Sequence, residues 1–144
     1  MEIGHVHLKV RNLDRSIAFY RKYLDMKITE QIGDAFVFMS AGKRHHELAL
    51  QEVGFQASTP QRHDVGLYHV AFEVPNREAL NATYQKLRDD SVSVHPVDHR
   101  ISWALYFSDP DGNGIEVYWD TRDTESGVEI WDGIDRPLTE KQLN

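Results

Sequence analysis

His5-Val6-His7-Leu8-Lys9-Val10-Arg11-Asn12 returns 64 residues later as His69-Val70-Ala71-Phe72-Glu73-Val74-Pro75-Asn76. The first His, both Val and the Asn recur at that shift, and the pairs Ala18/Ala82 and Tyr20/Tyr84 extend the match. Self-similarity at a fixed spacing marks one supersecondary unit used twice. Each copy opens with alternation, at Val6, Leu8 and Val10 and again at Val70, Phe72 and Val74, which is the pattern of a strand with one buried face. Asn12 or Asp14, and Asn76, then offer N-cap oxygens to segments with apolar residues at helical spacing: Ile17, Tyr20 and Leu24, then Leu80, Tyr84 and Leu87.

Outward from each helix the chain reads as three further strands. In the first copy these are predicted at Lys27–Ile32, Ala35–Ser40 and Glu47–Glu52, with Gly33-Asp34 and Ala41-Gly42 as turns. In the second they fall at Val92–Val94, Ser102–Phe107 and Gly114–Trp119, and Asp109-Pro110-Asp111-Gly112-Asn113-Gly114 forms the tight connection before the last. The expected fold class is therefore α+β, built of two tandem βαβββ modules at about residues 1–53 and 66–120. Both modules are expected in one domain spanning 1–120. A Gly, Ser, Thr, Pro and Gln linker covers 54–65, and 121–144 is a polar tail with an apolar patch at Val128, Ile130 and Trp131.

Composition narrows the function classes. The 144 residues carry 16 Lys+Arg against 23 Asp+Glu, a net charge of −7, with no basic run longer than Lys43-Arg44, so nucleic acid is not an expected partner. No apolar run approaches the roughly 20 residues that span a bilayer, and Met1-Glu2-Ile3-Gly4-His5 does not resemble a signal peptide. The expectation is a soluble, cytoplasmic protein with no membrane partner. Zero cysteines exclude thiolate nucleophiles, iron–sulfur clusters and Cys-type zinc sites together. Any metal must sit on imidazole and carboxylate, which directs attention to the eight histidines.

The repeat sorts them. His5 and His69 occupy equivalent points of equivalent strands, while Glu47 and Glu116 each sit on the last strand of a half, before Leu48-Ala49-Leu50 and Val117-Tyr118-Trp119. If the helices cover the face bearing Val6, Leu8, Leu48, Leu50, Ile115 and Val117, alternation assigns His5, Glu47, His69 and Glu116 to the opposite face. Two imidazoles with one carboxylate make the facial triad of non-haem iron oxygenases, and the donor set suits Fe(II), Mn, Ni or Zn.

The segments Gly4 to Val10 with Ser16-Ile17-Ala18-Phe19-Tyr20, then Leu67 to Phe72, then Asp109 to Val117, resemble the vicinal oxygen chelate superfamily. That group takes in glyoxalase I, fosfomycin- and bleomycin-resistance proteins and type I extradiol ring-cleavage dioxygenases. The resemblance implies that the modules form a curled, partly open eight-stranded sheet around a metal site. Arg44-His45-His46-Glu47-Leu48-Ala49-Leu50 is similar to the extradiol His-His-x-x-Ala-Leu segment, which implies His46 as catalytic acid/base. Tyr106, ten residues before Glu116, matches the Tyr that holds a substrate oxygen, and His99 resembles an additional active-site His. Trp131 to Leu138 looks like the tail of one-domain relatives.

What this implies is an enzyme: an Fe(II)-dependent extradiol dioxygenase, with metal ligands His5, His69 and Glu116, catalytic His46, Tyr106 and His99, and His7 lining the substrate pocket. Its partners would be a small aromatic diol and O₂, with the pocket wall supplied by the tail or by the second copy of a homodimer. Strict alternation offers an alternative, since it turns Glu47 to the metal as a fourth ligand. That is the pattern of a glyoxalase I-like isomerase or lyase, or of a thiol transferase. A strand irregularity after Gly42-Lys43-Arg44 would instead turn His46 inward. A metal-free binding protein of the bleomycin-resistance type would have no use for the triad. His45, His63 and His95 are assigned to loops or their borders, without a role.

Overall fold

In a computed structural model of the chain, which describes residues 1–61 and 63–144, the first copy of the repeat forms β1 (Val6–Val10), α1 (Leu13–Leu24), β2 (Lys27–Ile32), β3 (Phe36–Ser40) and β4 (Leu48–Glu52). These elements belong to one compact unit, residues 1–66 with 109–113. The Asn12 side chain accepts from Arg15 N–H at 2.9 Å to start the helix, and Asp25 ends it in the left-handed region at φ 51°. The sheet order is β1-β4-β3-β2, with β1 and β4 parallel and in register at Val6/Leu48 and Leu8/Leu50. That places Leu8, Val10, Leu48, Leu50, Val37 and Met39 in the core, where α1 packs on β4 through its buried face of Leu13, Ile17 and Tyr20. Each such side chain contributes about 1.5–3 kcal/mol by leaving water.

The second unit, residues 67–108 with 114–144, repeats the plan. It holds β5 (Val70–Glu73), α2 (Arg77–Asp89), β6 (His95–Asp98), β7 (Ser102–Ser108), β8 (Gly114–Asp120), β9 (Arg136–Pro137) and α3 (Glu140–Leu143). Asn76 caps α2 by accepting from Ala79 N–H at 2.9 Å. The sheet order is β5-β8-β7-β6-β9, with the first strand again parallel to the last strand of its module. Buried Leu80 and Leu87 of α2, which packs on β7 and β8, join Leu105, Ile115 and Val117 in the core.

Three expectations are corrected. The strands do not form one eight-stranded sheet but two sheets, of four and five strands. The extra strand comes from the tail, where Arg136–Pro137 pairs antiparallel with β6 at Asp98 and Val97. The strand expected at Val92–Val94 begins at His95, because Ser91 takes φ 57° and Val92 N–H is spent on the Leu87 carbonyl, so these residues serve to leave the helix. His95 is accordingly the first residue of a strand, paired with Tyr106. The linker expected over 54–65 includes Arg62, which lies outside the described residues. Among the described residues no helix is long and apolar enough to cross a membrane.

The repeated tyrosines anchor both helices. Tyr84 donates to Glu140 of α3 at 3.0 Å. Tyr20, wholly buried, donates to Asp109 at 3.0 Å, and Asp109 also accepts from the backbone of Asp111 and Asn113. Burial first, and then the Asp109 charge, push the Tyr20 hydroxyl far up. An unfolded tyrosine ionises near pH 10 while the folded one keeps its proton, so its stabilisation is complete below pH 10 and falls above it by about 1.4 kcal/mol per pH unit. Tyr20→Phe is expected to cost about 1 kcal/mol at neutral pH and to flatten the alkaline limb, as read by urea unfolding between pH 8 and 11.5.

Candidate active site

Parallel pairing of β5 with β8 puts Ala71 opposite Glu116, and antiparallel pairing of β7 with β8 puts Tyr106 opposite the same residue. Side chains opposite one another across a ladder are close neighbours on one face. The Tyr106 hydroxyl donates to Glu116 Oε1 at 2.9 Å, and His99 Nε2 stands 2.9 Å from the same hydroxyl. His69, immediately before β5, places Nε2 2.9 Å from Glu116 Oε2, and its ring lies 5.5 Å from that of Tyr106. On the far side of His99 stand Asp135, whose Oδ1 is 2.8 Å from Nδ1, and the Trp131 ring at 5.7 Å. Burial first, and then Glu116, hold the Tyr106 hydroxyl well above its usual range, which keeps it neutral.

The first unit carries a separate histidine group. His7, Ala49 and Phe38 share one face of the sheet through their register. The His46 ring lies on that side, with centroids 4.5 Å from His5 and 4.9 Å from Phe38. It gets there because the ladder slips at the start of β4: Met39 is paired with Leu48, yet its carbonyl accepts from Glu47 N–H. Two residues oppose one, and a bulge of this kind re-aims the side chains before it. The Glu47 carboxylate accepts instead from Ala41 N–H at 3.2 Å. His45 reaches His46 through their Nδ1 atoms at 2.9 Å and Glu30 through Nε2 at 3.2 Å. Burial, followed by the His5 and His45 rings, lowers the His46 pKa from the ordinary imidazole value. His7 is exposed, its ring edge-on to Phe36 at 6.1 Å.

Of the metal ligands expected from sequence, the second unit brings His69 and Glu116 together. Among the described residues no three His, Asp or Glu side chains stand as a ready ligand set. His5 as a third ligand therefore rests on the repeat and the resemblance. The pair itself fits an ion. Two donors each about 2.1 Å from one metal at right angles lie about 3 Å apart, close to the 2.9 Å between Nε2 and Oε2. The buried Nδ1 of His69 has no hydrogen-bond partner among the described residues. Sequence reasoning gave Asp135 no role of its own, since it has no periodic or spacing signal; it and Trp131 entered only within a tail segment similar to that of one-domain relatives, Trp131 also as part of an apolar patch.

The family model described as the Glyoxalase/Bleomycin resistance protein/Dioxygenase superfamily matches residues 2–117. The chain belongs to this superfamily. Among superfamily relatives, catechol-2,3-dioxygenase of Bacillus subtilis (strain 168) is 36% identical over 118 residues, covering 82% of this chain and 41% of that protein. Biphenyl-2,3-diol 1,2-dioxygenase 3 of Rhodococcus globerulus is 31% identical over 122 residues, covering 82% and 63%. The chain thus spans well under two thirds of the first of these proteins and slightly under two thirds of the second. The metallothiol transferase FosB of Staphylococcus saprophyticus is 31% identical over 123 residues, covering 83% of this chain and 77% of the transferase. A solved structure of a possible glyoxalase from Bacillus cereus, 27% identical, superposes with a TM-score of 0.63 over 81% of this chain and 97% of that one.

Gly114 is a site residue by subtraction. A Cβ there would collide with the Tyr68 carbonyl oxygen and stand 3.2 Å from His69 Cα and Cβ. Only the missing side chain lets the start of β8 approach the residue that holds His69. Gly114→Ala is expected to cost about 1–3 kcal/mol in urea unfolding and to shift the His69 ring resonances while those of His46 stay in place.

Proposed function

We propose that the protein is an Fe(II)-dependent extradiol dioxygenase that opens a catechol-type ring with O₂. One observation carries the reading: the Tyr106 hydroxyl stands 2.9 Å from both Glu116 and His99, with His69 against Glu116. An isomerase needs a metal and a base, but it has no call for a neutral phenol beside the ligand carboxylate and backed by an imidazole. The two dioxygenase relatives support the same reading.

His69 and Glu116 would hold the ion, with His5 as the third ligand assigned from the repeat. When bound, Fe(II) supplies Lewis acidity toward the diol and redox access to O₂. The protein's own groups orient the substrate and handle protons. Tyr106, a neutral donor, turns its single proton from Glu116 to a diol oxygen and fixes the plane of the ring. His99 supplies the compensating contact to the Tyr106 oxygen. His46 accepts a phenol proton at a ring nitrogen and returns one as the ring opens, work suited to a group whose unperturbed pKa is about 6.5. Glu47, bound to Ala41 N–H, stays out of the ligand set in this reading.

Anaerobic loading with Fe(II), followed by O₂ with catechol or 2,3-dihydroxybiphenyl, is expected to produce a yellow ring-opened product. His46→Ala should keep stoichiometric iron and lose about 10²- to 10⁴-fold in kcat. Turnover of a hemithioacetal, or thiol transfer, with Ni, Mn or Zn and no ring opening with any catechol would overturn the proposal. In that case Glu47→Ala would be the variant that loses metal.

A further inference from the structure

His99 faces two ways. Its Nε2 meets the Tyr106 hydroxyl at 2.9 Å. Its Nδ1 is buried and forms no regular hydrogen bond among the described residues, and against it stands Asp135 Oδ1 at 2.8 Å. We propose that Asp135 is a positioning residue, reaching in from the tail to hold a proton on His99 Nδ1 and so fix the ring with Nε2 against the Tyr106 oxygen. The inference rests on the reading of Tyr106 and His99 as active-site groups.

Proton counting supports it. Tyr106 has one proton and spends it on Glu116 Oε1, so in the resting arrangement Nε2 donates to the phenol oxygen. A neutral His99 with its only proton on Nε2 would then point the Nδ1 lone pair at a carboxylate 2.8 Å away, which is repulsive. A proton on Nδ1 turns that repulsion into a charge-assisted contact. With both ring nitrogens protonated, Nε2 keeps its donation to the Tyr106 oxygen as the hydroxyl turns toward a substrate. The ring nitrogen that bears the proton is set by the partner of the other nitrogen. A carboxylate that orients a functional imidazole does so without entering the chemistry itself.

The tail is built to deliver the carboxylate. Ile134 N–H donates to Asp132 Oδ1 at 3.0 Å, and Trp131 Nε1 donates to the Ile134 carbonyl, closing residues 131–134 on themselves immediately before Asp135. Arg136 pairs with Asp132 at 2.6 Å and is itself a β9 residue held against Asp98 of β6. Leu138 and Leu143 are buried, so the segment is anchored beyond the turn as well. Trp131 stands edge-on to His99 and restricts the ring's rotation from the side.

The test reads the His99 nitrogens by long-range ¹H–¹⁵N correlation on the apoprotein at fixed neutral pH. Wild type is expected to show a protonated Nδ1, Asp135→Ala to show the proton confined to Nε2, and Asp135→Glu to restore the wild-type pattern. In the Fe(II)-loaded enzyme, Asp135→Ala should lower kcat about tenfold with KM changed less than about twofold, and Asp135→Glu should recover most of the loss. A His99 Nδ1 that stays protonated in Asp135→Ala overturns the proposal, as does a rise in KM alone, which would make the tail only a wall. If wild type opens no catechol ring, the ring-cleavage reading fails, and the nitrogen pattern still decides the role of Asp135.

Discussion

Everything at the site follows from one constraint of topology: the first and last strands of each module are neighbours and run parallel. Parallel neighbours cannot be joined by a tight turn, so a helix and two intervening strands must lie between them. In the second unit this brings residues 45 positions apart into register, Ala71 opposite Glu116. His69, two residues upstream on the same side of the alternation, then reaches the Glu116 carboxylate. Gly114 is what lets the backbones close to that distance. Without the parallel pair, neither the imidazole nor the carboxylate would have a partner.

A buried carboxylate is expensive unless it is hydrogen-bonded, and Glu116 is buried. The surrounding residues meet that cost in polar contacts. Tyr106 donates from one side and His69 approaches from the other. An apolar partner at position 106 would have served the sheet equally well and left Oε1 without its donor. The phenol is thus tied to the carboxylate before any substrate is considered, and its own protonated state is enforced by the same burial and charge. Structural need and chemical capacity coincide in one hydrogen bond.

Much of this was legible in the sequence because it depends on local periodicity. Alternation at Val6, Leu8 and Val10, caps at Asn12 and Asn76, and the apolar stripes of the helices reappear as strands, caps and buried faces. The repeat singled out His5 and His69, and the family resemblance singled out Tyr106. What escaped depends on events that break periodicity or cross long distances. Alternation alone, counted by twos from Leu48, sends His46 to the helix face, and only the irregularity allowed for after Gly42-Lys43-Arg44 brings its ring beside His5. The positive φ of Ser91 moves β6 by three residues. Arg136–Pro137 is too short to carry any pattern, and it joins a sheet only because β6 would otherwise leave an open edge. Asp135 meets a partner thirty-six positions away, and nothing in its neighbours announces that contact.

The two halves show how a duplicated scaffold diverges at its carboxylates while keeping its strands. Each half keeps a His just before its first strand and a Glu at the start of its last. In the second half regular pairing through Gly114–Asp120 leaves Glu116 on the ladder, opposite a tyrosine. In the first half the bulge takes Glu47 off regular pairing, ties it to the Ala41 turn and presents His46 to His5 instead. By register the first half's counterpart of Glu116 is Ala49, so the carboxylate of the second half has no equivalent at that point, and the first half offers the His46 imidazole on the same side instead. Four similar ligands would make a symmetric closed site. On the proposed reading His46 does not hold the metal and is free to carry a proton, a separation of holding from proton transfer that a symmetric four-ligand cage lacks.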